Sequence, residues 1–285
     1  MKAWIEALRL RTLPLSTAGC VVAAGLAAWF GVFTWSVFLL MLLTVVLLQI
    51  VANFADEYGD LQKGVDNESR VGPKRGMQRG EISFAQMRRA LIVGTALAAI
   101  SGVGLIIVSW NNDPTFLVLF LAMGVIAIVG AITYTVGRYA YGYYALGDAA
   151  CMLFFGFFAV SGGFILYAHG YQCTVLLPTL SVGSLVVAFL NLNNMRDREN
   201  DAACAKTTTV VLMGAQRALV YHRALIVTGM LGLVLFCAFN AMVNPLRYLF
   251  LLIFPALIWH LKKAGEVKDP ARFDTLMKPF SLTIV

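Results

Sequence analysis

Charge is scarce in this chain and unevenly placed. Only 13% of the 285 residues are Asp, Glu, Lys or Arg, 60% are hydrophobic, and the mean hydropathy is +0.78, which excludes an ordinary soluble domain. Five cysteines form no CxxC pair, so neither a redox dithiol nor a thiolate zinc site is indicated, and they read as packing residues. Three histidines, His169, His222 and His260, share no ligand spacing and read as interface residues. GxSxG, P-loop and HExxH motifs are all missing, which removes serine hydrolase, nucleotide-driven and zinc peptidase readings. No low-complexity linker divides the chain, so one domain over 1–285 is expected.

Long apolar runs take the place of what is missing. Stretches near 13–33, 36–57, 88–109, 115–135, 147–168, 173–195, 218–239 and 245–261 are each long enough to cross a hydrocarbon core of about 30 Å. A ninth begins near 272 and runs out at Val285, reading as a helix that the chain stops before completing. The expected fold is therefore an all-α integral membrane bundle of eight to nine transmembrane helices. Lys and Arg alternate loop by loop: Lys2, Arg9 and Arg11 precede the first span, and further groups follow the second, fourth, sixth and eighth. The loops between hold only Asp113 and Arg247. By the positive-inside rule the amino terminus and those basic loops face the cytoplasm. The formal charge of +7 is thus a topology signal that also attracts anionic lipid, and nucleic acid is not implied. The first apolar run is long, lacks a small-residue cleavage site and leads straight into a second, so it does not read as a cleaved signal peptide.

Against this background two acidic clusters stand out. Asn53-Phe-Ala-Asp56-Glu-Tyr-Gly-Asp60 ends the second run, and Asn193-Asn194-Met-Arg-Asp197-Arg-Glu-Asn-Asp201 ends the sixth. Residues four apart share a helix face, so Asp56 and Asp60, and Asn193, Asp197 and Asp201, form stacks of oxygen ligands. A lone solvated helix end explains one such cluster, whereas two at matching spacing point to hard divalent cations and a polyphosphate. Each is followed by a basic loop on the same side, which suggests a weak internal duplication. Gly72-Pro-Lys74-Arg75-Gly-Met-Gln-Arg79-Gly sets cations among glycines, and Lys206-Thr207-Thr208-Thr209 does likewise; both suit phosphoryl oxygens. Arg88, Arg89, Lys262 and Lys263 read as topology alone. The stretch from Tyr134 to Asp148 carries Tyr134, Tyr139, Tyr141, Tyr143 and Tyr144, either a headgroup-level aromatic belt or rings facing a developing cation. Asp148, entering the fifth span, is open to three readings, a further ligand, a base for the acceptor or an acid at a helix amino terminus, and its position favours the last.

The two acidic motifs, the Gly72 to Gly80 loop, the tyrosine stretch, Arg11-Thr-Leu-Pro14 and Lys206-Thr207 together resemble the UbiA superfamily of intramembrane aromatic prenyltransferases over nearly the whole chain. The Gly-Pro-x-Arg-Gly-Met-Gln loop is similar to the naphthoate-prenylating branch. The first motif departs from the family pattern: Asp56-Glu57 stands where Asn-Asp is usual, and Gly64 where many relatives carry a further Asp, with Asp66 two residues on as its substitute. The resemblance implies a UbiA-type fold and transfer of a polyprenyl group from polyprenyl diphosphate to 1,4-dihydroxy-2-naphthoate. Diphosphate and CO2 would be lost and demethylmenaquinone would result. It implies Mg2+ held by Asn53, Asp56, Asp60, Asp66, Asn193, Asp197 and Asp201. Lys74, Arg75, Arg138 and Lys206 would neutralise the diphosphate, while Tyr134, Tyr141 or Tyr143 faces the carbocation and lipid surrounds the isoprenoid tail. Two alternatives stay open on the residues: another aromatic acceptor such as 4-hydroxybenzoate or homogentisate, and a cation-coupled transporter.

Overall fold

The computed structural model describes residues 1–10, 12–240 and 245–284. Arg11 and Val285 lie outside the described residues, as does 241–244 of the expected loop near 240–247. Ten helices account for most of the rest. A short α1 (Lys2–Ala7) leads into α2 (Leu13–Trp29), α3 (Trp35–Gln62), α4 (Phe84–Ser109) and α5 (Pro114–Thr133). A 3-10 turn at Tyr141–Tyr143 precedes α6 (Gly147–Ala168), which is π-helical over Met152–Gly162. Then come α7 (Leu176–Ala203), α8 (Thr209–Phe239), α9 (Phe254–Glu266) and α10 (Phe273–Ile284).

Seven of these segments are long and apolar enough to cross a membrane, α9 doing so together with the 3-10 stretch before it. The chain is a multi-pass membrane protein. The first expected span is shorter than read, since α2 has 17 residues. The ninth expected segment is α10, 12 residues long, which packs against α7 and α2 and buries Phe273, Leu276, Met277 and Phe280.

Local signals set the helix ends. Ser83 and Gln86 form a reciprocal capping box before α4, Asp113 accepts from the Thr115 amide ahead of Pro114, and Thr208 accepts from Val211, each satisfying an otherwise orphan amide. The carboxyl ends of α3 and α7 carry the acidic clusters and terminate alike. Val65 N–H bonds the Asp60 carbonyl and Gly64 N–H that of Leu61; Lys206 N–H bonds Asp201 and Ala205 N–H bonds Ala202. Both are Schellman caps, with Gly64 at φ +73 and Ala205 at φ +55 in the left-handed position. α3 and α7 each have 28 residues, and Asp60 and Asp201 hold the same place in the two caps.

Packing brings these two ends together. α3 packs on α2, α4 and α5, and α7 on α6, α8 and α10, while α2 touches α3, α6, α7 and α10 and so ties the halves. The histidine expectation fails for two of three residues. His222 and His260 are buried, with their Nε2 atoms 3.0 Å apart, and the His260 ring stacks on Phe280 at 4.1 Å. They were unreadable as a pair because they meet only when α8 and α9 pack.

Candidate active site

A cavity of about 840 Å3 runs inward from the acidic ends of α3 and α7. Its polar end is lined by Arg9, Asn53, Asp56, Asp60, Arg70, Lys74, Arg75, Asn193, Asp197, Asp201 and Lys206. Its apolar part is walled by Met41, Ala98, Gly102, Phe120, Gly124, Phe154, Phe158 and Leu166, which no charged group interrupts. Such a shape accommodates a molecule with an anionic head and a long hydrocarbon tail.

The tips are joined by three links. Asn200 Nδ2 donates to the Val65 carbonyl at 2.9 Å, Ser69 Oγ donates to Asn200 Oδ1 at 3.2 Å, and Lys206 Nζ lies 3.3 Å from Asp60 Oδ2. Lys206 is placed by a short backbone pairing in which Ala145 N–H reaches the Thr207 carbonyl and Thr207 N–H that of Tyr143. Asp60 also accepts from the Tyr143 hydroxyl at 2.7 Å.

Arginines fill the gaps between carboxylates. Arg75 lies 2.9 Å from Asp66, 3.4 Å from Asp56 and 3.6 Å from Asp60, while Arg9 pairs with Asp56 and Arg70 with Asp66 at 3.2 Å. Burial alone would weaken the Arg75 charge, but Asp56, Asp66 and Asp60 hold its pKa above the usual arginine range. Burial pushes the Asp66 carboxyl up despite Arg75, and takes Arg70 down to about 10. Lys206 is likewise penalised by burial, yet Asp60 and Asp201 raise it, so it stays an ammonium. Desolvation keeps the Tyr134 and Tyr143 phenols protonated.

On the α7 side Arg196 is the organiser. Its side chain is 0% exposed; Nε and Nη2 bind both oxygens of Asp197 at 2.8 and 2.6 Å, Nη2 reaches Asn193 Oδ1 at 2.9 Å, and Nη1 reaches Asp274 on α10 at 2.6 Å. Removing Asp274 should leave Arg196 anchored by Asp197, so Asp274→Ala is expected to cost about 1–2 kcal/mol, read as a modest fall in the thermal midpoint of detergent-purified protein.

Not every expected residue joins the cavity. Arg138 lies over the Tyr139 ring at 5.4 Å and Tyr139 is exposed, so the structure puts Arg138 away from the carboxylates. Lys74 reaches the cavity rim, yet its ammonium pairs with Glu68 at 2.5 Å on the surface. Tyr134 and Tyr141 line the cavity, edge to face at 5.3 Å. Tyr143 does not: Lys63 and Lys206 occupy its ring faces at 4.1 and 5.2 Å. The ammoniums there hold the place that a carbocation would need. Asn53 uses its amide to bind the Leu8 carbonyl at 2.8 Å and Thr12 Oγ1 at 3.2 Å, and its oxygen accepts from Gln49 at 3.0 Å, which commits it to holding the turn before α2. Asp148 stands in the first turn of α6 facing Thr209 and Tyr221, outside the cavity lining.

No group of three or more His, Cys, Asp or Glu among the described residues is gathered closely enough to hold a metal by itself. The donor chemistry still fits Mg2+, a hard ion that takes a few carboxylates and completes its shell with water and substrate phosphate. Asp66 is held by charge, without an aligned hydrogen bond to either buried oxygen among the described residues, and lies outside the cavity lining, whereas Asp56, Asp60, Asp197 and Asp201 of the α3 and α7 tips face one space.

Fold and site together define a membrane-embedded enzyme class in which an oxygen-rich head site opens onto a hydrocarbon channel. The sequence pattern of the UbiA prenyltransferase family matches residues 17–279, and the chain belongs to that family. It is 40% identical to the 1,4-dihydroxy-2-naphthoate octaprenyltransferase of Escherichia coli (strain K12), over 97% of this chain and 89% of that one. It is also 40% identical to the enzyme of the same name from Haemophilus influenzae, over 99% and 92%. A solved UbiA homolog from Archaeoglobus fulgidus bound to GPP and Mg2+ superposes with a TM-score of 0.67 at 16% identity, covering 99% of this chain and 98% of that one.

Proposed function

We propose that this protein is a Mg2+-dependent prenyltransferase that moves a polyprenyl group from polyprenyl diphosphate to 1,4-dihydroxy-2-naphthoate, with loss of CO2 and diphosphate. The product leads to demethylmenaquinone. One observation carries the reading: the carboxylates of two helix tips share a single cavity whose other part is apolar. The activities named for the 40% identical relatives support the choice of acceptor.

In this reading Asp56, Asp60, Asp197 and Asp201 hold Mg2+ with the diphosphate, and Asp66 acts from behind them by fixing Arg75. Bound there, the metal neutralises charge building on the leaving oxygens. Arg75 and Lys206 do the same from the protein side, as fixed donors in a site of low dielectric. The tail lies along Met41, Phe120 and Leu166, and Tyr134 and Tyr141 present ring faces where the allylic cation forms. Phenols held neutral by burial are poor nucleophiles, so they do not capture that cation. The enzyme sits in a bacterial cell membrane as one domain, with its amino terminus and active site on the cytoplasmic side, on the alternation of Lys and Arg among loops.

Membranes containing the protein are expected to incorporate labelled polyprenyl diphosphate into 1,4-dihydroxy-2-naphthoate and not into 4-hydroxybenzoate or homogentisate. EDTA should abolish the reaction and Mg2+ restore it. Turnover with hydroxybenzoate alone would overturn the acceptor, and cation uptake by proteoliposomes without prenyl transfer would overturn the class.

A further inference from the structure

Arg9 is unusual in backbone and side chain at once. It adopts φ +50, a left-handed conformation that L-residues avoid, and of the five described non-glycine residues with positive φ it alone lines the cavity. Its carbonyl accepts from Thr12 N–H at 2.8 Å and Thr12 Oγ1 at 2.9 Å, and the same turn is bolted to α3 by the Asn53 amide. Strain kept in this way clusters where a side chain must be aimed.

The side chain it aims is half committed. Nη1 pairs with Asp56, whereas Nη2 is buried with no hydrogen-bond partner among the described residues. The other cations at the polar end are engaged: Arg75 with three carboxylates, Arg70 with Asp66 and the Pro73 carbonyl, Lys206 with Asp60. Spare donors on a rigid guanidinium fork match a carboxylate. The wall beside Arg9 is also distinct. Ile5 and Leu10 line the cavity there and are 54% and 56% exposed, giving an apolar rim suited to a flat aromatic ring arriving from the membrane surface.

We propose that Arg9 binds the carboxylate of the aromatic acceptor, so that the donor diphosphate and the acceptor acid occupy opposite sides of Asp56. This rests on the prenyl-transfer reading above. Asn53 and Thr12 then act as positioning residues, through the turn that points Arg9.

The test uses full-length protein in lipid nanodiscs with farnesyl diphosphate, 1,4-dihydroxy-2-naphthoate and Mg2+. Arg9→Gln should raise the acceptor KM roughly 30-fold while the donor KM changes less than about twofold, and Arg9→Lys should recover part of the loss by keeping charge without the fork. Binding of unreactive farnesyl thiodiphosphate with Mg2+ should match wild type. Thr12→Val retains the guanidinium and loosens its aim, so it should raise the acceptor KM a few-fold even where Arg9→Gln folds poorly. An unchanged acceptor KM in these variants, or weaker thiodiphosphate binding at unchanged acceptor KM, overturns the proposal. Wild-type turnover in the same assay tests the prenyl-transfer reading separately.

Discussion

Asp201→Ala should lower prenyl transfer by about 10^3-fold or more, equivalent to about 4 kcal/mol of transition-state stabilisation, while the protein remains folded. Asp201 is buried at the α7 tip, lines the cavity, and stands one turn past Asp197. No side chain among the described residues closes on it with a hydrogen bond or ion pair, whereas Asp197 is gripped by Arg196 and Asp60 by Tyr143 and Lys206. Its oxygens are therefore the most available to a cation. Deleting a carboxylate from a buried group of carboxylates also relieves like-charge repulsion, which is why the fold should tolerate the change. The check is a magnesium titration of kcat beside a thermal melt. Near-native activity at any Mg2+ concentration would remove Asp201 from the site.

Arg75→Ala is expected to damage both fold and catalysis. One guanidinium serves Asp56, Asp60 and Asp66, and without it Asp66 keeps only the Arg70 pair at 3.2 Å, with no aligned hydrogen bond among the described residues. Removing one partner of a buried ionic network leaves uncompensated charge, a loss of about 3–5 kcal/mol. Lysine keeps the charge but cannot span three acceptors, so Arg75→Lys should recover only part. Thermal melts with and without Mg2+ plus a diphosphate analogue separate the two effects. Ligand should return some stability to Arg75→Lys, because metal then takes over part of the neutralising role.

Sequence reading reached the site through its acidic half. Carboxylates spaced by four at the ends of apolar runs are legible because the helix repeat alone fixes which of them share a face. The shared Schellman geometry of the two tips is set by backbone conformation after each helix and is not legible in the differing loops that follow. The cations were harder. Arg9, Arg70 and Arg196 look like topology markers in a membrane protein whose alternate loops are basic. Their partners lie up to 78 residues away, as for Arg196 and Asp274, and only packing selects them. The same limit explains the histidine pair, the outward Arg138, and Tyr143, whose ring faces are taken by two lysines. Asn53 shared a turn with the acids and was grouped with them, while its amide was needed by a turn 41 residues earlier.

Calorimetric binding of farnesyl thiodiphosphate to wild type, Asp60→Asn, Asp201→Asn and the double variant, each with and without Mg2+, tests the shared grip of the two tips most directly. Binding that requires Mg2+, falls in both single variants and falls little further in the double is predicted, because the carboxylates would hold one ligand through the same ions. Independent, fully additive losses, or tight binding that ignores Mg2+, would contradict it.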